Sequence, residues 1–165
     1  SDEVMGQILE AANWAPSHRC TEPWRFKVMI DGALVRLSDY MSSFYKEKTP
    51  PEAFSEKKFN KVKAKALQSA AVIAIVMQRD PKESVPEIEE IEAVAMVVQN
   101  MWLMAHSHGI GSYWGSPKMS YMANEFLGLK DGERCVGFFF MGYHDLPQIE
   151  GQRGDWREKV EFVKK

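Results

Sequence analysis

A short polar segment between a helical pattern and a strand pattern holds the side chains best suited to bind a ligand. Ser17, His18, Arg19 and Cys20 supply a hydroxyl, an imidazole, a guanidinium and a thiol. A helix end leaves backbone groups unpaired, and a polar loop there can direct several donors at one ligand. An ordinary turn with a surface histidine fits the same residues, and spacing alone gives the two interpretations about equal weight.

A second candidate segment follows a long apolar helical pattern. Gly109 and Gly111 precede Tyr113, Trp114 and Gly115, and small residues allow a backbone to approach a flat ligand closely. A pair of glycines after a helix is, however, most often its C-cap. Taken alone, this segment predicts a helix end followed by a strand.

Near the C-terminus, Arg153 and then Arg157 each place a guanidinium in a polar tail. A guanidinium suits a phosphate because its paired N–H donors match two oxygens. A solvated arginine in a polar tail explains either residue equally well.

Several other chemistries are disfavoured by composition. The four histidines are scattered, and His106 and His108 lie two apart, on different faces of a helix, so we expect no metal site. A net charge of −2 and a pI near 6.1 disfavour polyanion binding, and glutamates interrupt the lysines between residues 46 and 65. Two cysteines and no bilayer-length apolar run fit a soluble protein of the reducing cytoplasm.

The elements that must position these residues follow from hydrophobic periodicity. Apolar residues at helical spacing predict a first helix over 3–15, ended by Pro16, and alternation predicts a strand over 24–30. The nearly continuous apolar run 70–77 indicates a strand covered on both faces. Further patterns predict helices and a strand over 34–45, 53–67, 119–126 and 135–141.

The longest helical pattern runs from 88 to 105 and is apolar around much of its circumference. Its seam is Ile88, Ile91, Ala95, Val98, Trp102 and Ala105, and Val94, Val97, Met101 and Met104 widen it. Such a helix is either central to the core or buried against a second copy of the chain. Helices and strands without a βαβ rhythm predict an α+β sandwich in one domain, residues 1–165.

The first segment carries a resemblance to a known family. Ala15-Pro16-Ser17, followed four residues later by Glu22-Pro23-Trp24 and then Phe26, resembles the signature of the nitroreductase family. With a histidine after Pro-Ser, the motif resembles that of a compact subgroup of small nitroreductases. Cys20 and Glu22 stand where many members have asparagine and glutamine, so the resemblance alone does not carry over the flavin hydrogen bonds that the family makes from those positions.

The resemblance implies a mainly antiparallel sheet covered by helices, a long central helix at a dimer interface, and FMN sites shared across a homodimer. The family's N-terminal Arg-Arg-Ser segment, which binds the FMN phosphate, has no counterpart in this sequence. We expect either that this segment precedes Ser1, which we favour, or that the phosphate is held differently. The implied cofactor contacts are Trp14, Pro16, Ser17, His18 and Cys20 toward the partner's flavin, Tyr113, Trp114 and Gly115 beside its ring, and Arg153 at its phosphate.

The implied activity is an FMN-dependent oxidoreductase that passes electrons from NADH or NADPH to a nitroaromatic, a quinone or a similar small acceptor. The mechanism is ping-pong, and because the chemistry belongs to the flavin, no catalytic side chain is expected. Two alternatives stay open. One is related flavin chemistry, namely dehalogenation, flavin destruction or double-bond reduction, and the other is a non-catalytic flavin-binding protein.

Overall fold

The structure, a computed structural model, describes residues 1–147 and 150–164. Within that part, helices and strands are interleaved along the chain. Short 3-10 turns occur at His18–Cys20, Pro51–Ala53, Ser120–Met122 and Trp156–Lys159. The elements are α1 (Asp2–Asn13), β1 (Trp24–Met29), α2 (Gly32–Lys48), α3 (Glu56–Leu67), β2 (Ala71–Gln78), α4 (Glu87–Ser107), β3 (Gly111–Gly115), α5 (Asn124–Leu127) and β4 (Glu133–Gly142).

The four described strands form one sheet in the order β1-β2-β4-β3, and every neighbouring pair is antiparallel. The first seven residues of β2 are all buried, which confirms the prediction of a strand covered on both faces. The strands β2 and β4 are central, whereas β1 and β3 lie at the edges.

Helices cover both faces of this sheet. On one face, α1 and α4 pack on side chains such as Ile73, Ile75 and Phe139. On the other, α2 and α3 pack on Val72 and Phe138, which lie next to them in sequence and point the opposite way. The predicted α+β sandwich with a mainly antiparallel sheet is confirmed.

The long helix α4 has one buried face and one exposed face. Val94, Val97 and Met101, predicted only to widen the apolar seam, are buried, whereas Met104 is half-buried. The predicted seam residues Ile88, Ala95 and Trp102 are exposed. A heptad-like spacing does not fix which side of a broad apolar helix turns inward. The buried residues are Glu90, Ala93, Val94, Val97, Val98, Met101 and Ala105.

The predicted helix over 119–126 is wrong in its extent. The structure has a 3-10 turn, then Ala123 at φ −88° and ψ 14°, and then the four-residue α5. Polar side chains hold the carbonyls at the start of this segment, because Tyr40 Oη donates to Met119 O at 2.7 Å and Ser120 Oγ donates to Pro117 O at 2.7 Å. Such bonds favour turns over a continuous helix.

Along the described parts of the chain, none of the helices has both the length and the apolar character needed to cross a membrane. Residues 150–164 are exposed and contain a single short turn. The core therefore ends with β4.

Candidate functional site

The polar segment predicted to bind a ligand folds as a tight loop between α1 and β1. Arg19, Cys20 and Glu22 have φ values of 54°, 53° and 43°, in the left-handed region that non-glycine residues rarely adopt. The hydroxyl of Ser17 braces the loop internally, because Ser17 Oγ accepts from the backbone N–H of Glu22 at 3.2 Å. Unusual backbone of this kind clusters at binding sites, where the surroundings must hold it in place.

His18 fastens the loop to the first turn of α4. Its Nδ1 contacts Glu89 Oε2, and the two residues lie 71 positions apart in sequence. The neighbouring glutamates of that turn bind elsewhere: Glu87 pairs with Arg134 at 3.2 Å, and Glu90, almost fully buried, pairs with Arg79 at 2.6 Å. The start of α4 is therefore paired with β4 and with the residue that follows β2, as well as with the loop.

Tryptophans with opposite exposure lie at the two ends of the loop. Trp24 is buried, and its indole Nε1 donates to Asn13 Oδ1 at 3.1 Å, which ties the end of α1 to the start of β1. Trp14 is 78% exposed, with its Nε1 donating to Glu10 Oε1 at 2.7 Å. A large exposed indole on a rigid helix end is a surface for a flat ligand or for another protein chain.

The second group of predicted residues lies on β3. The Tyr113 ring stacks on Phe140 with centroids 4.9 Å apart, and the Lys65 ammonium lies 5.1 Å from the Tyr113 centroid. Burial, with a smaller contribution from the nearby Lys61 charge, lowers the pKa of Lys65, and burial raises the pKa of Tyr113. The Tyr113 side chain therefore packs on the face of the sheet that α3 covers.

Trp114 points to the opposite face and packs beneath Gly137 of β4. A Cβ at Gly137, whose φ is 149°, would lie 2.2 Å from Trp114 Nε1 and 2.8 Å from Gly115 O. Among the described residues, neither Trp114 Nε1 nor Ser112 Oγ has a hydrogen-bond partner, although both atoms are buried. Buried polar atoms of this kind normally bind ordered water or a ligand group.

The structure brings the predicted residues together as two groups rather than one. No hydrogen bond or ion pair within 1–147 and 150–164 joins the loop to β3. Arg153 is exposed, and its Nη1 donates to the neighbouring Gln152 O at 2.8 Å. Sequence analysis missed Glu89 and Asn13, and no local pattern marks either residue, because each acts through a contact made by folding.

None of the predicted loop or β3 residues lines the cavity beside the N-terminal end of α1. It has a volume of about 560 Å³ and lies at the opposite end of α1, between that helix and the ends of β1 and β4. Two shallower grooves of about 480 and 380 Å³ run along the outer surface of α1 and α4, sharing Ala11 and Met104, and Trp14 lines the larger of them. Concave volume alone does not identify the predicted site.

Comparison with known proteins places this fold and loop in one class. The sequence model of the Nitroreductase family matches residues 1–143. YfhC of Bacillus subtilis (strain 168), named as a candidate NAD(P)H nitroreductase, is 32% identical over 151 residues, covering 89% of this chain and 76% of the relative. The protein belongs to the nitroreductase family.

Solved structures agree with this assignment. A nitroreductase-like family protein from Bacillus cereus superimposes with a TM-score of 0.80 at 28% identity, covering 99% of this chain and 85% of the other. The FMN-dependent nitroreductase NfnB from Mycobacterium smegmatis, solved in complex with NADPH, has a TM-score of 0.79 at 16% identity, covering 99% and 89%. The latter likeness shows the shared fold alone.

Proposed function

We propose that this protein is an FMN-dependent oxidoreductase that passes electrons from NADH or NADPH to a nitroaromatic, a quinone or a similar small acceptor by a ping-pong mechanism. One observation carries the proposal. The segment that matches the family's motif is folded as an exposed loop, held from inside by Ser17 and from outside by Glu89. Family membership and the named NAD(P)H nitroreductase relative support it.

The residues present suit FMN. A flavin has a flat ring, a polar edge with donors and acceptors, and an anionic phosphate, and the chain offers the exposed Trp14 indole, the His18 imidazole and the β3 backbone from Tyr113 to Gly115. Pro16, Ser17 and Cys20 complete the proposed loop contacts, and Arg153 is the proposed phosphate ligand. When bound, the cofactor supplies two-electron transfer, and the protein's part is to orient it and exclude water.

We further propose that two copies of the chain complete each site. Among the described residues, no hydrogen bond or ion pair joins the loop to β3, and the grooves along α1 and α4 leave large apolar side chains exposed. Leu103 and Met96 of α4 are 60% and 40% exposed. An apolar helix face of this kind suits burial against an identical face related by a two-fold axis.

The dimer proposal is tested by changing one apolar side chain to a charge. Leu103→Asp is expected to give a monomer in sedimentation velocity and to lose bound FMN, because a carboxylate would be buried in the interface. Val35→Asp is the matched control: Val35 is 51% exposed on α2, on the other side of the sheet. If Leu103→Asp stays dimeric, the α4 face is not the interface.

Cofactor and donor are tested by spectroscopy. The purified protein is loaded with FMN and titrated anaerobically with NADH and then with NADPH. Flavin absorbance that bleaches with either nucleotide is the expected result and names the donor. A protein that takes up no FMN, or a bound flavin that neither nucleotide reduces, contradicts the proposed function and favours a binding protein.

Acceptor class is tested by steady-state assays. Turnover with nitroaromatics or quinones, giving parallel double-reciprocal plots, is expected for a ping-pong enzyme. Failure with all of them, and turnover in dehalogenation, flavin destruction or double-bond reduction, would move the protein to related flavin chemistry.

Neither cysteine forms a disulfide, and we propose a cytoplasmic location on that ground.

A further inference from the structure

The contact between His18 and Glu89 determines more than the position of the loop. The side chain of His18 is 56% exposed and that of Glu89 is 35% exposed, so the pair lies at the surface of the proposed site. An ionised carboxylate can only accept hydrogen bonds. His18 Nδ1 must therefore carry a proton to make this contact.

The tautomer of a histidine is set by the hydrogen bond that one of its ring nitrogens makes. With the proton on Nδ1, a neutral His18 has its lone pair on Nε2. Among the described residues, no hydrogen bond or ion pair involves His18 Nε2. The imidazole is thus held by one nitrogen while the other is left as an acceptor.

The family match and the loop geometry do not assign any role to Glu89. We propose that Glu89 is a positioning residue, which holds His18 as its Nδ1–H tautomer so that Nε2 accepts a hydrogen bond from an N–H or O–H group of bound FMN. The inference rests on the proposed function. FMN offers such donors in its ring imide N–H and its ribityl hydroxyls.

The neighbours of Glu89 make the assignment specific. Glu87 and Glu90 belong to the same helical turn, but they bind Arg134 on β4 and Arg79, which directly follows β2. Removing Glu87 therefore removes the same charge from the same helix turn without touching the loop. This arrangement supplies a control that separates a specific contact from a general loss of negative charge at the start of α4.

The test uses FMN itself, with its dissociation constant measured by fluorescence quenching in the full chain. Glu89→Ala is expected to weaken FMN binding about five- to tenfold, because a mispositioned imidazole forfeits one hydrogen bond. Glu89→Gln, whose amide oxygen can still accept from Nδ1, is expected to restore most of the affinity. Glu87→Ala is expected to bind FMN as the parent protein does.

A double-mutant cycle decides whether Glu89 acts through His18. In a His18→Ala background, the further change Glu89→Ala is expected to have no effect on FMN affinity, because the group it positions is gone. An equal loss in both backgrounds would overturn the proposal. So would a Glu89→Ala protein that binds FMN as tightly as the parent.

A readout that needs no cofactor keeps this test separate from the proposed function. In the cofactor-free protein, two-bond ¹H–¹⁵N spectra, recorded where imidazole is neutral, are expected to show His18 as the Nδ1–H tautomer and to show a change in Glu89→Ala. His18→Ala identifies the signal. An unchanged tautomer in Glu89→Ala overturns the inference, whereas a parent protein that binds no FMN overturns the proposed function and the cofactor contact with it.

Discussion

The middle of the sheet and the loop between α1 and β1 are stabilised in different ways. In β2 and β4, buried side chains on both faces fix the strands by packing, and the two strands pair on both sides of a register shift at Val136. In the loop, residues with left-handed φ values are held by a few polar contacts, chiefly those of Ser17, His18 and Asn13. Packing tolerates little change in volume, whereas the loop depends on individual atoms.

This difference shows how the chain keeps a polar site on an apolar scaffold. The scaffold gains its free energy of folding from burial, which is additive over many side chains. The loop gains little from burial, so each hydrogen bond carries a larger share of its order. Changes in the sheet should therefore appear first as lost stability, and changes in the loop as lost local order and cofactor affinity.

The largest effect is expected at the contact between β3 and β4. Gly137→Ala places a Cβ 2.2 Å from Trp114 Nε1, so the indole or the strand must move, and we expect a loss of about 3 kcal/mol or more in the free energy of unfolding. Urea unfolding at a fixed protein concentration measures it. Gly6→Ala is the control, because a Cβ there meets nothing within 4 Å and should stabilise α1 slightly. An unchanged midpoint for Gly137→Ala would contradict the packing described for Trp114.

At the border of the two regions, Asn13→Ala removes the only acceptor described for the buried indole N–H of Trp24. An unpaired buried donor costs about 1–2 kcal/mol, measurable by thermal unfolding. Asn60→Ala is the control, because its amide makes only an exposed 3.5 Å contact with Glu56 on α3. Equal effects of the two changes would show that the Asn13 contact adds nothing.

Inside the loop, Ser17→Ala removes the acceptor of the Glu22 N–H. We expect a global loss of about 0.5–1 kcal/mol and a clear acceleration of hydrogen exchange at the Glu22 amide. Ser43→Ala, on the exposed surface of α2, is the control. A Glu22 amide that exchanges at the parent rate would mean that the loop is held without this hydroxyl.

The smallest effect is expected for Asp80→Asn, which should change how the free energy of unfolding depends on pH. Hydrogen bonds from the Ser84 hydroxyl, the Lys82 N–H and the Ser84 N–H lower the pKa of Asp80 from 3.8 to about 2. A lowered folded-state pKa stabilises the protein above the unfolded value, and this contribution is lost as pH falls through the folded value. The parent protein should therefore have a higher free energy of unfolding than Asp80→Asn above about pH 4, and this difference should shrink toward pH 2 in urea unfolding. A constant difference would exclude this role for Asp80.

Hydrophobic periodicity predicted the scaffold well because the spacing of apolar residues within a short stretch of sequence indicates that one of its faces is buried. The apolar run of β2 and the spacing of apolar residues in α1 and α4 each predict a buried face. The same signal could not choose the inward side of α4 or the true extent of the segment around Ser120. Those outcomes depend on what packs above the helix and on carbonyls taken by distant side chains.

The motif predicted which residues of the loop to consider, but not how the loop is held. Ser17 and His18 were chosen for their chemistry, whereas the partners that fix them, Glu22 N–H and Glu89, follow from the folded backbone. A glutamate in the first turn of a helix is common, because it complements the helix dipole. Nothing in the sequence distinguishes Glu89 from Glu87 or Glu90.

The fit of Trp114 beneath Gly137 also bears on how the protein can tolerate insertions and deletions. Sliding β3 by one residue along β4 would place the indole against a side chain and turn every β3 residue to the other face. The register of β3 on β4 is thus set by the packing of Trp114 against Gly137, not by the length of the segment that connects the two strands. An insertion in the exposed turn 130–132 is therefore expected to leave Tyr113 to Gly115 in place.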